Sequence, residues 1–236
     1  RGALLSNTTA SDNTAVGLNA LNLNTTGTLN TAIGAAALDA ITTNSYNTAV
    51  GTNALSASTA DFNTGVGANA GKLITTGTEN VALGGNALDA NTTGSYNVAV
   101  GTSALGSNTT ASNNTAVGVN ALLANTTATN NTAVGHQALD ANTTGAENTA
   151  IGNDALSANT TASNNTAVGR KALQVTTTGH SNTAMGETAA QNVTGNGNVA
   201  LGREAMQLGT GGEDNVAIGY QALQDCAGDN NVGIGR

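Results

Sequence analysis

The chain has 236 residues with no Pro or Trp, three Tyr and one Phe, so a globular core built on aromatic area is excluded. Charged residues are only 8% of the total, which excludes the polar, strongly charged composition of a disordered chain. Six Lys and Arg against 14 Asp and Glu leave a net charge of −8; with no basic stripe and few aromatics, this argues against nucleic-acid binding. No apolar run approaches the ~20 residues needed to span a bilayer, and a single cysteine, Cys226, excludes a disulfide framework within the chain.

The first predicted element is Asn13-Thr14-Ala15-Val16-Gly17, and it recurs until Asn231-Val232-Gly233-Ile234-Gly235. There are fourteen copies, ten spaced by 17 residues and three by 16. A fixed period of this size means a solenoid, in which each repeat is one unit stacked on the next. Each repeat is numbered here from its first Asn. Position 1 is Asn and position 5 is Gly in every copy, as in Asn13 and Gly17, Asn114 and Gly118, Asn131 and Gly135, Asn148 and Gly152, and Asn165 and Gly169. Position 2 is Thr or Val, position 3 is Ala or Gly, and position 4 is aliphatic or Met. This alternation predicts a short strand over positions 1–4, with positions 2 and 4 on one face and the tiny position 3 on the other. The unvarying Gly predicts a corner that needs φ > 0 or close backbone approach. The Ala-Leu pair at positions 8 and 9 predicts the start of a second strand, and Asn-Thr-Thr-Gly closes the circuit.

A helical alternative fails, because β-branched residues, Asn and an interior Gly crowd every repeat. All twenty charged residues fall at positions 6, 7, 10, 11 or 15–17, as a dry stacked interior requires. Position 1 can form a ladder of asparagines, each amide bonding its equivalent above and below. The 16-residue repeats lose their residue between positions 10 and 17, where a loop absorbs it. The predicted fold is therefore all-β, a parallel β-solenoid (β-roll) of about fourteen coils, roughly 67 Å long at ~4.8 Å per coil. Residues 1–236 read as a single repetitive segment. Neither end carries an atypical capping repeat, so a segment of a longer fibre is expected. Two or three sizeable aliphatics per coil make a thin core, and association of chains at the small-residue faces would add buried area.

The pattern Asn-Thr/Val-Ala-Val/Ile-Gly followed by Ala-Leu resembles the head repeats of trimeric autotransporter adhesins. It is similar, too, to Asn-Thr-Ala-Val/Ile-Gly-Tyr-Gln-Ala-Leu repeats of phage tail-fibre proteins, with Ile218-Gly219-Tyr220-Gln221-Ala222-Leu223 as the nearest local match. The resemblance implies a left-handed roll, a homotrimer or head-to-tail fibre, and an extracellular place on a cell surface or virion. The period here is longer than is usual in adhesin heads, and no stalk or anchor is recognisable.

No catalytic, cofactor or metal set stands out. His136 and His180 fall at positions 6 and 16, more than two coils apart, and are expected as exposed corner residues. Cys226 has no neighbouring His and is expected to be an idle thiol. Gly209-Thr210-Gly211-Gly212-Glu213-Asp214 has calcium-loop composition but occurs once. Eleven Asn-X-Ser/Thr triplets follow from the repeat; those at Asn91, Asn108, Asn125, Asn142 and Asn159 fall in the predicted outer loop and are candidate glycosylation sites. The Thr pairs at positions 13 and 14 could array into rows of the kind that ice-binding solenoids present. The function expected is a structural and adhesive fibre segment, not an enzyme, that partners copies of itself and a host or environmental surface, glycan included. A monomeric ice- or glycan-binding solenoid using stacked Thr and Asn rows is the alternative.

Overall fold

A computed structural model describes residues 2–236. They divide into two compact units, residues 2–116 and 117–236. The first holds β1 (Thr14–Val16), β2 (Thr31–Ile33), β3 (Thr48–Val50), β4 (Thr64–Val66), β5 (Val81–Leu83) and β6 (Val98–Val100). The second holds β8 (Thr132–Val134), β9 (Thr149–Ile151), β10 (Thr166–Val168), β11 (Thr183–Met185), β12 (Val199–Leu201), β13 (Val216–Ile218) and β14 (Val232–Ile234). The division falls inside β7 (Thr115–Val117).

Each unit is a parallel β-solenoid. Within each unit a strand covers positions 2–4 of its coil and pairs in register with the same positions of the next, as Thr14↔Thr31 and Val168↔Met185 illustrate. A three-residue strand has no independent stability. Here the pairing extends around the coil far beyond the strands: Gly34 N–H donates to Val16 O, Asn53 N–H to Ala35 O, Thr25 N–H to Thr42 O and Tyr46 N–H to Thr28 O. Loops of low β-propensity thus satisfy their backbone groups across coils, which is the accounting that a buried backbone demands.

The second strand expected at positions 8 and 9 does not form. Positions 5–8 and 9–12 are successive turns: Ala104 N–H donates to Gly101 O, and Asn108 N–H to Leu105 O. Positions 7, 9 and 17 are left-handed even where they are not glycine, for example Asn53 (φ 57), Leu55 (φ 50) and Phe62 (φ 60). A left-handed leucine costs about 1–2 kcal/mol, but fully burying its side chain returns about 1.5–3 kcal/mol. The inward-facing Leu therefore wins over Gly at position 9.

The core corrects the orientation of the strand as well. Position 3 faces inward and is fully buried, as at Ala32, Ala99, Ala150 and Ala200, whereas positions 2 and 4 face outward. A Cβ built on Gly65 would lie 2.8 Å from Leu55 Cγ and 3.0 Å from Ala70 O. The position-9 leucine of the preceding coil thus fills the space and limits position 3 to Ala or Gly. The small-residue face is already occupied within its own chain and offers nothing to a second one. The confinement of charge to the outside holds, for the buried polar side chains are Asn, Ser and Thr.

Candidate functional site

Four side-chain columns run along each unit. The first is the position-1 asparagine, which forms the expected amide ladder, Asn80 Nδ2 donating to Asn63 Oδ1 and Asn215 Nδ2 to Asn198 Oδ1, both at 3.1 Å, and bonds the backbone as well. Asn148 Nδ2 donates to Ala162 O at 2.8 Å, near the end of its own coil, while its Oδ1 accepts Asn165 N–H at 3.0 Å from the next coil. Asn165 repeats this with Gly179 O at 2.8 Å and Asn182 N–H at 2.9 Å. In the first unit Asn13 holds Gly27 O and Asn30 N–H at 2.7 and 2.9 Å, and Asn114 N–H donates to Asn97 Oδ1. Asn131 Nδ2 reaches Gly145 O at 2.9 Å, with its Oδ1 accepting Asn148 N–H. The asparagine staples the start of one coil to its end and to the next coil.

The partner of this staple is the position-5 glycine. Gly17, Gly118, Gly135, Gly152 and Gly169 have φ between 133° and 138°, a region that is essentially glycine-only. Both reasons for glycine therefore apply at once, since a Cβ on Gly152 would sit 2.5 Å from Gly169 O.

A second asparagine column, at position 12, was hidden in the sequence by its loop-like neighbours. Asn91, Asn108, Asn125, Asn142 and Asn159 are fully buried. The column forms a second amide ladder: Asn108 Nδ2 donates to Asn91 Oδ1 at 2.9 Å, Asn142 to Asn125 at 3.0 Å and Asn159 to Asn142 at 2.8 Å. Each also bonds a carbonyl three residues on, as Asn142 does with Gly145 O. Where the column changes to Thr176, Asn159 Oδ1 is left without a partner. The expectation that these five asparagines lie on the outer loop and could carry glycans is overturned, because their amide nitrogens point inward and are consumed. Of the other triplets, Asn113, Asn130 and Asn164 are exposed.

The threonine rows also separate. Position-13 hydroxyls donate to the next coil, as Thr75 to Thr92 O and Thr143 to Thr160 O, both at 3.0 Å. Position 14, as at Thr76, Thr93, Thr144 and Thr161, stays exposed in single file. It is this residue that the 16-residue repeats lack: in the coil from Asn47 the loop passes from exposed Thr59 directly to buried Ala60.

The titratable groups remain scattered. His136 Nδ1 lies 3.2 Å from Asn153 Nδ2, while His180 Nδ1 accepts Ser163 N–H at 2.9 Å. Partial burial raises the carboxyl groups of Asp39, Asp89 and Asp140 above their usual range. The hydrogen bond from Arg170 lowers that of exposed Glu187. Half-buried Cys226 Sγ accepts Asn231 Nδ2–H at 3.3 Å. Among the described residues no three His, Cys, Asp or Glu side chains converge as metal ligands. No helix among them is long and apolar enough to cross a membrane.

The most distinctive surface is the outer face of the strands. In the first unit it presents Val16 (59% exposed) and Leu83 (45%), and in the second Ile151 (40%) and Met185 (52%). Positions 2 and 4 carry no charge in any coil. No known protein-family model matches the chain, and no curated protein is significantly similar to it.

Proposed function

We propose that the chain is a structural and adhesive repeat segment whose copies associate through the outer faces of their strands, as a homotrimer or a fibre on a cell surface or virion. The observation that carries this is the pair of uncharged columns at positions 2 and 4. Scattered exposed aliphatics are ordinary, but contiguous ones mark an interaction surface. The residues that can bury further area are the Val, Ile, Leu and Met side chains of position 4, not the small residues of position 3. Contact with a host or environmental surface, glycan included, would draw on many weak repeated contacts acting together. A monomeric ice- or glycan-binding solenoid has less support: only the position-14 threonines remain free to face a ligand, as one row instead of two.

Light scattering on the purified protein tests this, beside a variant carrying Val134→Asp, Ile151→Asp and Val168→Asp. An oligomer in the parent and a folded monomer in the variant are expected. A monomeric parent, or a variant that keeps its oligomeric state, would refute it. Thermal hysteresis in a monomeric parent would favour the ice-binding alternative.

A further inference from the structure

The left-handed position 17 turns its side chain outward once per coil. In the first unit this column reads Asp12, Leu29, Tyr46, Phe62, Glu79, Tyr96 and Asn113. Tyr46 and Phe62 stack with ring centroids 4.9 Å apart and planes within 7°. One face of Phe62 is therefore covered, and the other looks along the column toward Glu79. An open slot of about 430 Å³ lies there, lined by Phe62, Glu79 and Val81. Phe62 is 54% exposed and Tyr96 55% exposed, so neither ring is needed by the core. No lysine, arginine or histidine among the described residues pairs with Glu79.

We propose that this slot binds an organic cation of the trimethylammonium class, with the open face of Phe62 against the charge and Glu79 neutralising it. A cation held at the level of Glu79 is one coil spacing, about 4.8 Å, from the Phe62 ring, inside the ~6 Å reach of a cation–π contact. The lining argues against a neutral sugar, which needs several directional hydrogen-bond partners; here one carboxylate is the only polar group. Val81 suits methyl groups, and the net charge of −8 favours approach of a cation. A free small cation and the choline headgroup of a lipid offer the same chemistry.

The chain has a single phenylalanine, so ring-labelled protein gives one set of NMR signals that reports the slot directly. Choline chloride should shift these signals saturably, with a dissociation constant of about 1–10 mM. The neutral isostere 3,3-dimethylbutan-1-ol should bind at least about fivefold more weakly. Glu79→Gln, which keeps shape and loses charge, should weaken choline by a similar factor. Co-sedimentation with phosphatidylcholine vesicles, reversed by free choline, identifies a lipid headgroup as the source; choline binding without it identifies a solute. No shift at Phe62, equal binding of the isostere, or unchanged binding by Glu79→Gln would each overturn the proposal.

Discussion

Asn148→Ala probes the staple that joins coils. Asn148 is fully buried, and its amide holds two backbone groups that have no access to water: Ala162 O and Asn165 N–H. Alanine leaves Asn165 N–H unsatisfied, whereas Ala162 O keeps its bond from Asn159 Nδ2 at 3.1 Å. At about 1–3 kcal/mol for an orphaned buried group, the loss should be about 1–3 kcal/mol. Thr149→Ala, one residue away on the partly exposed outer face, should cost under about 0.5 kcal/mol. The contrast matters because both changes remove a few atoms from adjacent positions. Urea unfolding followed by circular dichroism gives the totals, and amide hydrogen exchange gives the location. In a stack coupled only to nearest neighbours, protection should fall most at Asn165 and in the coils beside it. An Asn148→Ala variant as stable as the parent, or with Asn165 N–H still protected, would refute the assignment of the staple.

Gly152→Ala should be more damaging than its single methyl suggests. It combines a φ of 138° with a Cβ 2.5 Å from the Gly169 carbonyl oxygen, and we expect at least about 3 kcal/mol of destabilisation in the same assay. Asp140→Asn should stabilise the protein near neutral pH. Burial lifts the folded-state carboxyl above its usual 3.8, so the folded chain holds that proton more tightly than the unfolded one. The penalty of ionising it is absent below 3.8 and grows as pH rises through the raised value, so the advantage of Asn should vanish in acid; thermal melts of both proteins across pH check this. In a glycosylating host, peptide mass spectrometry should find Asn91, Asn108, Asn125, Asn142 and Asn159 unoccupied, with any glycan confined to exposed sites such as Asn113, Asn130 and Asn164.

The period, the glycine corner and the placement of charge were legible in the sequence because each depends on one residue type recurring at one position. The strand's orientation was not. Alternation at Thr14-Ala15-Val16 says that two faces differ, and the usual inference puts the larger residues inside. Here the coil is too narrow for that, and Leu21 occupies the interior instead. That leucine misled in turn, because Ala-Leu suggests a strand, and nothing local announces a leucine at φ 50°. The position-12 asparagines carried the opposite ambiguity. Asn-Thr-Thr-Gly is turn chemistry in any single loop, and burial of its Asn follows only from having another Asn stacked on it. A column interrupted by Ile41, Ser58 and Ile74 still reads as one buried site, since those substitutes are fully buried too. The Phe62 slot depends on neighbours 17 residues apart in the chain, so only the register brings them together.

The register has a genetic consequence. Pairing such as Thr149↔Thr166 places each residue against its own equivalent, so every coil meets its neighbours through the same contacts. Duplication or excision of one coil's worth of coding sequence therefore leaves the new neighbours matched. Thr48↔Thr64 shows the same tolerance at finer scale, since a coil short by one outward residue still meets its neighbour in register. Recombination between repeats can lengthen or shorten such a gene without disturbing its interior, and the number of coils becomes a trait on which selection can act directly.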